Sequence, residues 1–374
     1  MLRLMHCADL HIDSPFSTCS PEKRREKKGQ LLDSFNRMIE LINREQIPVC
    51  LIAGDLFDTA APSAGAVEAV RSGFAYAPGC HFFIAPGNHD PYTPGGVYEQ
   101  TPFSENVTIF KEPQLSKVYL EAYNAEIYGF AFVGKYMEKP PALTVCAPDD
   151  SRLHILTAHG DLSGGDSDVC PLSEPLLRHS GFDYVALGHL HNWGGLKKTG
   201  GIYYGYSGCL CGRDFGETGP KGAYLCELSK QAGAVSCNST FVPLCSVYYA
   251  ECSVDISGCE TDGQAAELVE KALVENGLSE GCEVRVHLKG QVPAGYTPSG
   301  ALPALVRMAS CQFIDETLPL YDINQLKEEP GLRGEFLRAL LPALESGAEQ
   351  TQKTAALALR YGLHVMNGGN VSDL

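Results

Sequence analysis

Five short clusters of Asp, Asn and His punctuate the chain: Asp9-Leu10-His11, Gly54-Asp55-Leu56-Phe57-Asp58, Gly87-Asn88-His89-Asp90, His159-Gly160-Asp161 and Gly188-His189-Leu190-His191. Carboxylate and amide oxygens mixed with neutral imidazoles suit Mn, Fe or Zn better than an all-oxygen calcium site. The clusters offer seven candidate ligand groups, too many for one ion. Two ions sharing a carboxylate would use them all, and metals about 3.5–4 Å apart clamp an in-line phosphoryl displacement in hydrolases. Residues i and i+2 leaving a strand project to one side, so D-x-H and H-x-H could each present two ligands together.

Each cluster closes a predicted strand. Apolar runs at 2–7, 49–52, 81–84, 153–157 and 184–187 read as buried strands. Sites in open α/β sheets form just outside the carboxyl ends of strands. A lone D-x-H is a weak signal, and a lone G-D-x-x-D reads equally well as a turn with a helix cap. Five such clusters in order, each at a strand end, form a strong one. Gly54, Gly87 and Gly188 fit sharp turns that bring backbone close to a ligand.

Between the first two strands, Leu31, Leu32, Phe35, Met38, Ile39 and Ile42 line one face of a helix. Alternating strands and helices predict an α/β layered fold with a largely buried sheet. Two hairpins are expected, 118–123 with 125–130 and 202–206 with 223–228. Around Pro243 the texture changes: strand 247–256, a helix over 263–276 carrying Ala266, Val269 and Leu273, and strand 284–288. The expected division is a catalytic domain over 1–245, a small α+β domain over 246–330 and a helical segment over 331–374. In the last, Leu332, Phe336, Leu337, Leu340, Leu341 and Leu344 share a side, and the final residues 366–374 read as a frayed tail.

Hydrophobic residues make up 44% and charged residues 20% of 374, ordinary for a globular protein. The net charge of −16 argues against coating nucleic acid through the overall field. No apolar run reaches the roughly 18 residues a membrane-spanning helix needs. The first residues turn polar too early for a signal peptide, so 15 cysteines suggest reduced thiols in the cytoplasm. Cys209 and Cys211 read as small apolar residues rather than zinc ligands, as does Cys7. The histidines at 6, 81, 154, 179, 287 and 364 read as structural or surface residues, and Trp193 as a packing residue.

The five motifs in this order resemble the calcineurin-like metallophosphoesterase superfamily. Their flanks, His11-Ile12-Asp13-Ser14-Pro15-Phe16, Gly54 to Thr59 and Gly87 to Pro91, resemble the SbcD/YhaO-type DNA repair exonucleases. Asp315 to Asp322 and Leu332 to Phe336 are similar to the YhaO branch. The resemblance implies a four-layer αββα core with a small α+β capping domain and C-terminal helices. It implies that Asp9, His11 and His191 hold one ion, that Asn88, His159 and His189 hold the other, and that Asp55 bridges. Two divalent ions are implied, Mn2+ foremost, with Fe2+ or Zn2+ as alternatives, and a metal-bridging hydroxide as the attacking group. His89, oriented by Asp90, would stabilise transition-state charge or protonate the leaving oxygen, since imidazole titrates near neutral pH. Asp58 would support a ligand histidine such as His11.

The implied activity is a DNA exonuclease or endonuclease working with a coiled-coil ATPase of the SbcC or YhaN type. A phosphatase or small-nucleotide phosphodiesterase shares the same motifs. A non-catalytic regulatory component would require a lost ligand, and all seven are present. Charge is uneven: residues 1–50 hold 8 Lys+Arg against 7 Asp+Glu, whereas from 246 onward there are 9 against 18. Lys23, Arg24, Arg25, Lys27 and Lys28 form a basic run placed between the first motif and the first helix. It reads either as a solvated loop and helix start or as an edge gripping the DNA backbone. DNA binding by the chain alone should then be weak. The apolar side of the last helices could dock the ATPase, pack within the chain or form a homodimer seam.

Overall fold

A computed structural model describes residues 1–145, 151–162, 167–278, 281–293, 296–307 and 310–366. The expected tail lies, beyond Met366, outside the described residues. The chain divides into two compact units, Met1–Tyr248 and Tyr249–Leu374.

The first unit runs β1 (Leu2–Cys7), α1 (Pro21–Arg44), β2 (Val49–Ile52), α2 (Ala64–Tyr76), β3 (His81–Ile84), α3 (Val97–Gln100), β4 (Val107–Ile109), β5 (Ser116–Leu120) and β6 (Ala125–Gly129). It continues with β7 (Leu153–His159), α4 (Glu174–Arg178), β8 (Tyr184–Gly188), β9 (Lys197–Thr199), β10 (Ile202–Tyr206), β11 (Gly222–Gln231) and β12 (Ala234–Pro243). These strands form two six-stranded sheets, ordered β12-β11-β1-β2-β3-β4 and β5-β6-β7-β8-β10-β9. Period-2 alternation sorts each strand's side chains between layers. In β1, Met5 and Cys7 pack under α1 with Leu31, Phe35 and Met38, while Leu2 and Leu4 face the second sheet with Ile127, Ile155 and Tyr184. The second sheet's other face buries Tyr128, Leu156, Val185 and Leu187 against Leu177 of α4 and against Phe130, Phe132, Leu143 and Leu172. The layers are therefore helix, sheet, sheet, and an outer layer made mainly of loop segments with the short α4. His6 is fully buried between the sheets, accepting or donating at Tyr184 Oη (2.9 Å) and the Leu187 carbonyl (3.1 Å).

The first expected hairpin forms, with β5 antiparallel to β6. The second does not. β10 pairs with β8 and β9 in the second sheet, whereas β11 lies between β1 and β12 in the first. Residues 207–221 thus cross from one sheet to the other, past the carboxyl ends of the strands.

The second unit contains β13 (Tyr248–Asp255, beginning at the boundary), α5 (Asp262–Glu275), β14 (Cys282–Lys289), β15 (Gln291–Pro293), α6 (Leu302–Leu305), β16 (Ser310–Asp315) and β17 (Leu318–Leu320). Three helices follow: α7 (Ile323–Glu328), α8 (Leu332–Leu344) and α9 (Glu349–Met366). Its sheet runs β13-β14-β16. The stripe on α8 is used within this unit: Leu337 is buried with Leu326, Leu359 and Leu363, and Phe336, Leu340, Leu341 and Leu344 pack against them. Leu332 departs from the stripe and is 72% exposed.

Candidate metal centre

The carboxyl ends of β1, β2 and β3 in one sheet and of β7 and β8 in the other open onto one crevice. There Asp9, Asp55, His11 and His159 are each about 1% exposed. His11 Nε2 and His191 Nε2 face each other at 3.1 Å, and His159 Nε2 lies 2.9 Å from Asn88 Oδ1. Asp55 Oδ2 sits 3.5 Å from His159 Nε2 and 3.7 Å from His11 Nε2. Asp9 Oδ1 is 3.8 Å from His159 Nδ1 and 4.0 Å from His191 Nε2, and both its oxygens accept from the His189 amide at 3.0 and 3.1 Å. The His189 ring stands 5.4 Å from that of His159 between centroids. The structure thus gathers all seven motif groups. Donor atoms of Asp9, His11 and His191 cluster closely enough for one ion, as do those of Asp9, Asp55 and His159.

This donor set fits divalent cations. Two carboxylates lie buried, and the imidazole nitrogens of His11, His159 and His191 approach them at 3.5–4.0 Å, beyond normal hydrogen-bond length. Buried anions need a compensating charge. Burial raises the Asp55 carboxyl, but the charges of His159 and His11 outweigh it and bring it below the usual range.

Convergence comes from the turns rather than from strand alternation. β1 ends at Cys7, and Asp9 (φ 53°), His11 (φ 45°), Asp55 (φ 51°) and His189 (φ 112°) all take positive φ. Non-glycine residues rarely adopt this region, and such strain concentrates at functional sites. The expectation that D-x-H and H-x-H project as extended strand residues is therefore corrected. Main-chain bonds hold the unusual turns: Asp9 N to Gly54 O, His11 N to Asp55 O and Ile12 N to Leu56 O, each 3.0 Å. Of the three motif glycines, only Gly54 has positive φ (93°); Gly87 and Gly188 are needed because a Cβ would collide with Asp55 and with the Ala53 carbonyl.

His89 stands at the mouth, its side chain 43% exposed, with Nδ1 3.2 Å from the Asp58 carbonyl and its amide donating to Asp55 Oδ1 at 3.0 Å. Asp90 does not orient it. That carboxylate is fully buried and accepts from the Phe57 amide (2.9 Å), the Gly87 amide (2.8 Å) and Tyr98 Oη (2.5 Å), bracing the second motif loop against the third. Burial first, and the charge of Asp55 second, push the Asp90 carboxyl up to about 7. Asp58 Oδ1 lies 2.8 Å from His11 Nδ1.

Sequence reasoning missed Arg213 and Glu217, on the crossing from β10 to β11. Arg213 Nη1 donates to Asp58 Oδ1 at 2.9 Å and Nη2 to Glu217 Oε1 at 2.8 Å, while His191 Nδ1 lies 2.6 Å from the same Glu217 oxygen. Burial raises the Glu217 carboxyl, yet His191 and Arg213 hold it far below the usual range. Lys221, 1% exposed, donates to the His191 carbonyl at 3.0 Å and to Asn192 Oδ1 at 2.8 Å. The available signal was a charged pair four apart in a glycine-rich stretch, which by itself has no chemical signature. Cys209 and Cys211 are buried and stand in none of the metal groupings among the described residues. Trp193 is 42% exposed and stacks on Phe241 at 4.5 Å.

The basic run is not a loop before the first helix. Pro21 starts α1, the Ser20 hydroxyl caps it by accepting from the Lys23 amide, and Lys23 to Lys28 fill its first turns. Cations there oppose the helix dipole, and the protein's own acceptors offset this. Arg24 donates to the Phe16, Ser17 and Cys19 carbonyls, Lys27 to the Arg213 carbonyl (2.8 Å) and Lys28 to Asp13 (2.7 Å). Lys23 pairs with Glu26 at 3.2 Å, and Arg25 is exposed.

Residues 2–193, just over half of the chain, match the calcineurin-like phosphoesterase family. The chain belongs to that family. Members are metal-dependent phosphoesterases, and the gathered ligand groups agree with this chemistry. Over 329 residues the chain is 32% identical to the uncharacterized metallophosphoesterase YhaO of Bacillus subtilis, covering 84% of this chain and 79% of that one. It is 26% identical to the DNA double-strand break repair protein Mre11 of Saccharolobus solfataricus, covering 63% of each. It is also 26% identical to one component of the nuclease SbcCD of Staphylococcus epidermidis, covering 65% of this chain and 70% of that one. Among the described residues no helix of this phosphoesterase is long and apolar enough to cross a membrane.

Proposed function

We propose that this phosphoesterase is a two-metal phosphodiesterase cleaving DNA, as an exonuclease or endonuclease, with Mn2+ as its ion. It would work in the cytoplasm with a coiled-coil ATPase of the SbcC or YhaN type. The observation that carries this reading is the gathering of two buried carboxylates and four histidines, with Asn88, around one crevice. Asp9, His11 and His191 would hold one ion, Asn88, His159 and His189 the other, with Asp55 between. When bound, such ions activate water and draw charge from the phosphate. His89, held through Nδ1 at the Asp58 carbonyl, keeps Nε2 for the leaving oxygen.

The choice of DNA rests on the likeness to Mre11 and to the SbcCD nuclease component. Because Lys23, Arg24, Lys27 and Lys28 bond to the protein itself, backbone grip by the basic turn falls chiefly on the exposed Arg25. With a net charge of −16, tight DNA binding would come through the ATPase, and binding by the chain alone would be weak and salt-dependent. Docking would fall on helices α8 and α9, where Leu332, Leu357, Tyr361 and Val365 are exposed.

The test is purified protein with Mn2+ on linear duplex DNA, beside His89→Ala. Cleavage by the parent that the variant loses is the expected result. Hydrolysis of small phosphoesters with DNA left intact would move the reading to a phosphatase. Silence on both substrates, with the ATPase present, would leave a regulatory component.

A further inference from the structure

The Arg213 guanidinium spans two carboxylates, and each carboxylate backs a different histidine. Nη1 meets Asp58 Oδ1 at 2.9 Å, which lies 2.8 Å from His11 Nδ1. Nη2 and Nε meet Glu217 Oε1 at 2.8 and 3.2 Å, and that oxygen lies 2.6 Å from His191 Nδ1. The Arg213 amide donates to Glu217 Oε2 at 2.7 Å, and its carbonyl accepts from Lys27 at 2.8 Å, so the fork is fixed at both ends. A carboxylate at Nδ1 keeps the ring proton there and turns the Nε2 lone pair to the other side. The two lone pairs then face each other across the 3.1 Å between His11 Nε2 and His191 Nε2. Arg213 Nη2 also lies 3.1 Å from His191 Nδ1, but a guanidinium only donates, so this approach reflects their common acceptor, Glu217.

On the other side of the crevice His159 Nδ1 meets the Ala53 carbonyl at 3.1 Å, a main-chain acceptor with no link to Arg213. We propose that Arg213 is a positioning residue for one ion only: through Asp58 and Glu217 it sets both imidazoles of the Asp9, His11 and His191 site. The inference rests on the two-metal reading and deepens it. A planar fork suits this better than an ammonium, because its donors are held in one rigid plane and can meet both carboxylates at once.

The experiment is Mn2+ titration of the metal-free full chain, followed by calorimetry and by the electron paramagnetic resonance spectrum. The parent should bind two ions and show a spin-coupled pair. Arg213→Met should keep one ion at parental affinity, weaken the other by about 10–100-fold, and give the spectrum of an isolated ion. Arg213→Lys should recover part of the loss. If Arg213→Met does not fold, Glu217→Gln, which weakens the His191 arm and the anchor of Arg213, should give the same selective loss. Two ions bound at parental affinity by a folded variant would overturn the inference, as would equal weakening of both. A parent binding fewer than two ions would overturn the two-metal reading itself, a result visible before any variant is made.

Discussion

The two sides of the crevice support their histidines by different means. His11 and His191 lean on the side-chain carboxylates of Asp58 and Glu217, joined through Arg213. His159 leans on the Ala53 main-chain carbonyl and meets Asn88 through Nε2. Exposure does not follow the same division: the His191 side chain is 25% exposed, whereas those of His11 and His159 are 1% and 0%. A carboxylate makes its histidine a more basic ligand, but it depends on a loop that must pack correctly. A carbonyl at the end of β2 is positioned by the sheet itself, so that side is less adjustable and harder to disrupt by changing a polar side chain.

The largest effect should come from the group between the sides. Asp55→Ala should abolish the binding of both ions and all phosphoester hydrolysis, measured by calorimetry and by cleavage of a phosphodiester substrate. One ion retained at full affinity would show that the sides are independent at that carboxylate. Next is Gly188→Ala, whose Cβ would strike the Ala53 carbonyl that holds His159. It should destabilise the protein by about 1–3 kcal/mol and weaken the Asn88, His159 and His189 site selectively, the mirror image of Arg213→Met. Melting curves with and without Mn2+ check both parts; a loss confined to the His11 side would break the comparison.

Glu126, at the second sheet, offers a carboxylate away from both sides. Burial raises it, but Lys117, Tyr128 and Arg152 outweigh this and bring its pKa from 4.5 to about 2. Its folded value is below the unfolded one, so its stabilisation is complete above pH 4.5 and fades as pH falls towards 2. Glu126→Gln should cost about 2 kcal/mol at neutral pH, with the gap to the parent closing across that window in urea unfolding. A gap unchanged at low pH would show that the charge contributes nothing. The smallest effect expected is that of Tyr98→Phe, which removes one of three donors to Asp90. It should cost about 1 kcal/mol and leave the number of bound ions unchanged; loss of an ion would mean that the Asp90 brace acts on one side after all.

The motif clusters were legible because strand runs and metal-ligating residue types are both local properties, and their order along the chain places them at one end of the sheets. The partner of β10 was not legible: Ile202 to Tyr206 reads as a strand in either sheet, and its apolar pattern is satisfied equally by both. Missing that crossing meant missing Arg213 and Glu217, which matter only because it passes behind His191. Asp90 was misplaced for a related reason. Adjacency to His89 suggested a partner, whereas a turn carries the carboxylate away to the Phe57 and Gly87 amides.

The amino-acid sequence by itself determined the strand-helix alternation, the seven ligand groups and the acidic character of the chain, since each depends on residue type and short-range spacing. Only the tertiary structure decided which sheet each later strand joins, that Asp9, His11, Asp55 and His189 reach the crevice through positive-φ turns, and that Asp58 on one loop and Arg213 with Glu217 on another form one bridge. Those features arise from pairing, close packing and the compensation of buried charge, and none of these is a property of neighbours in sequence.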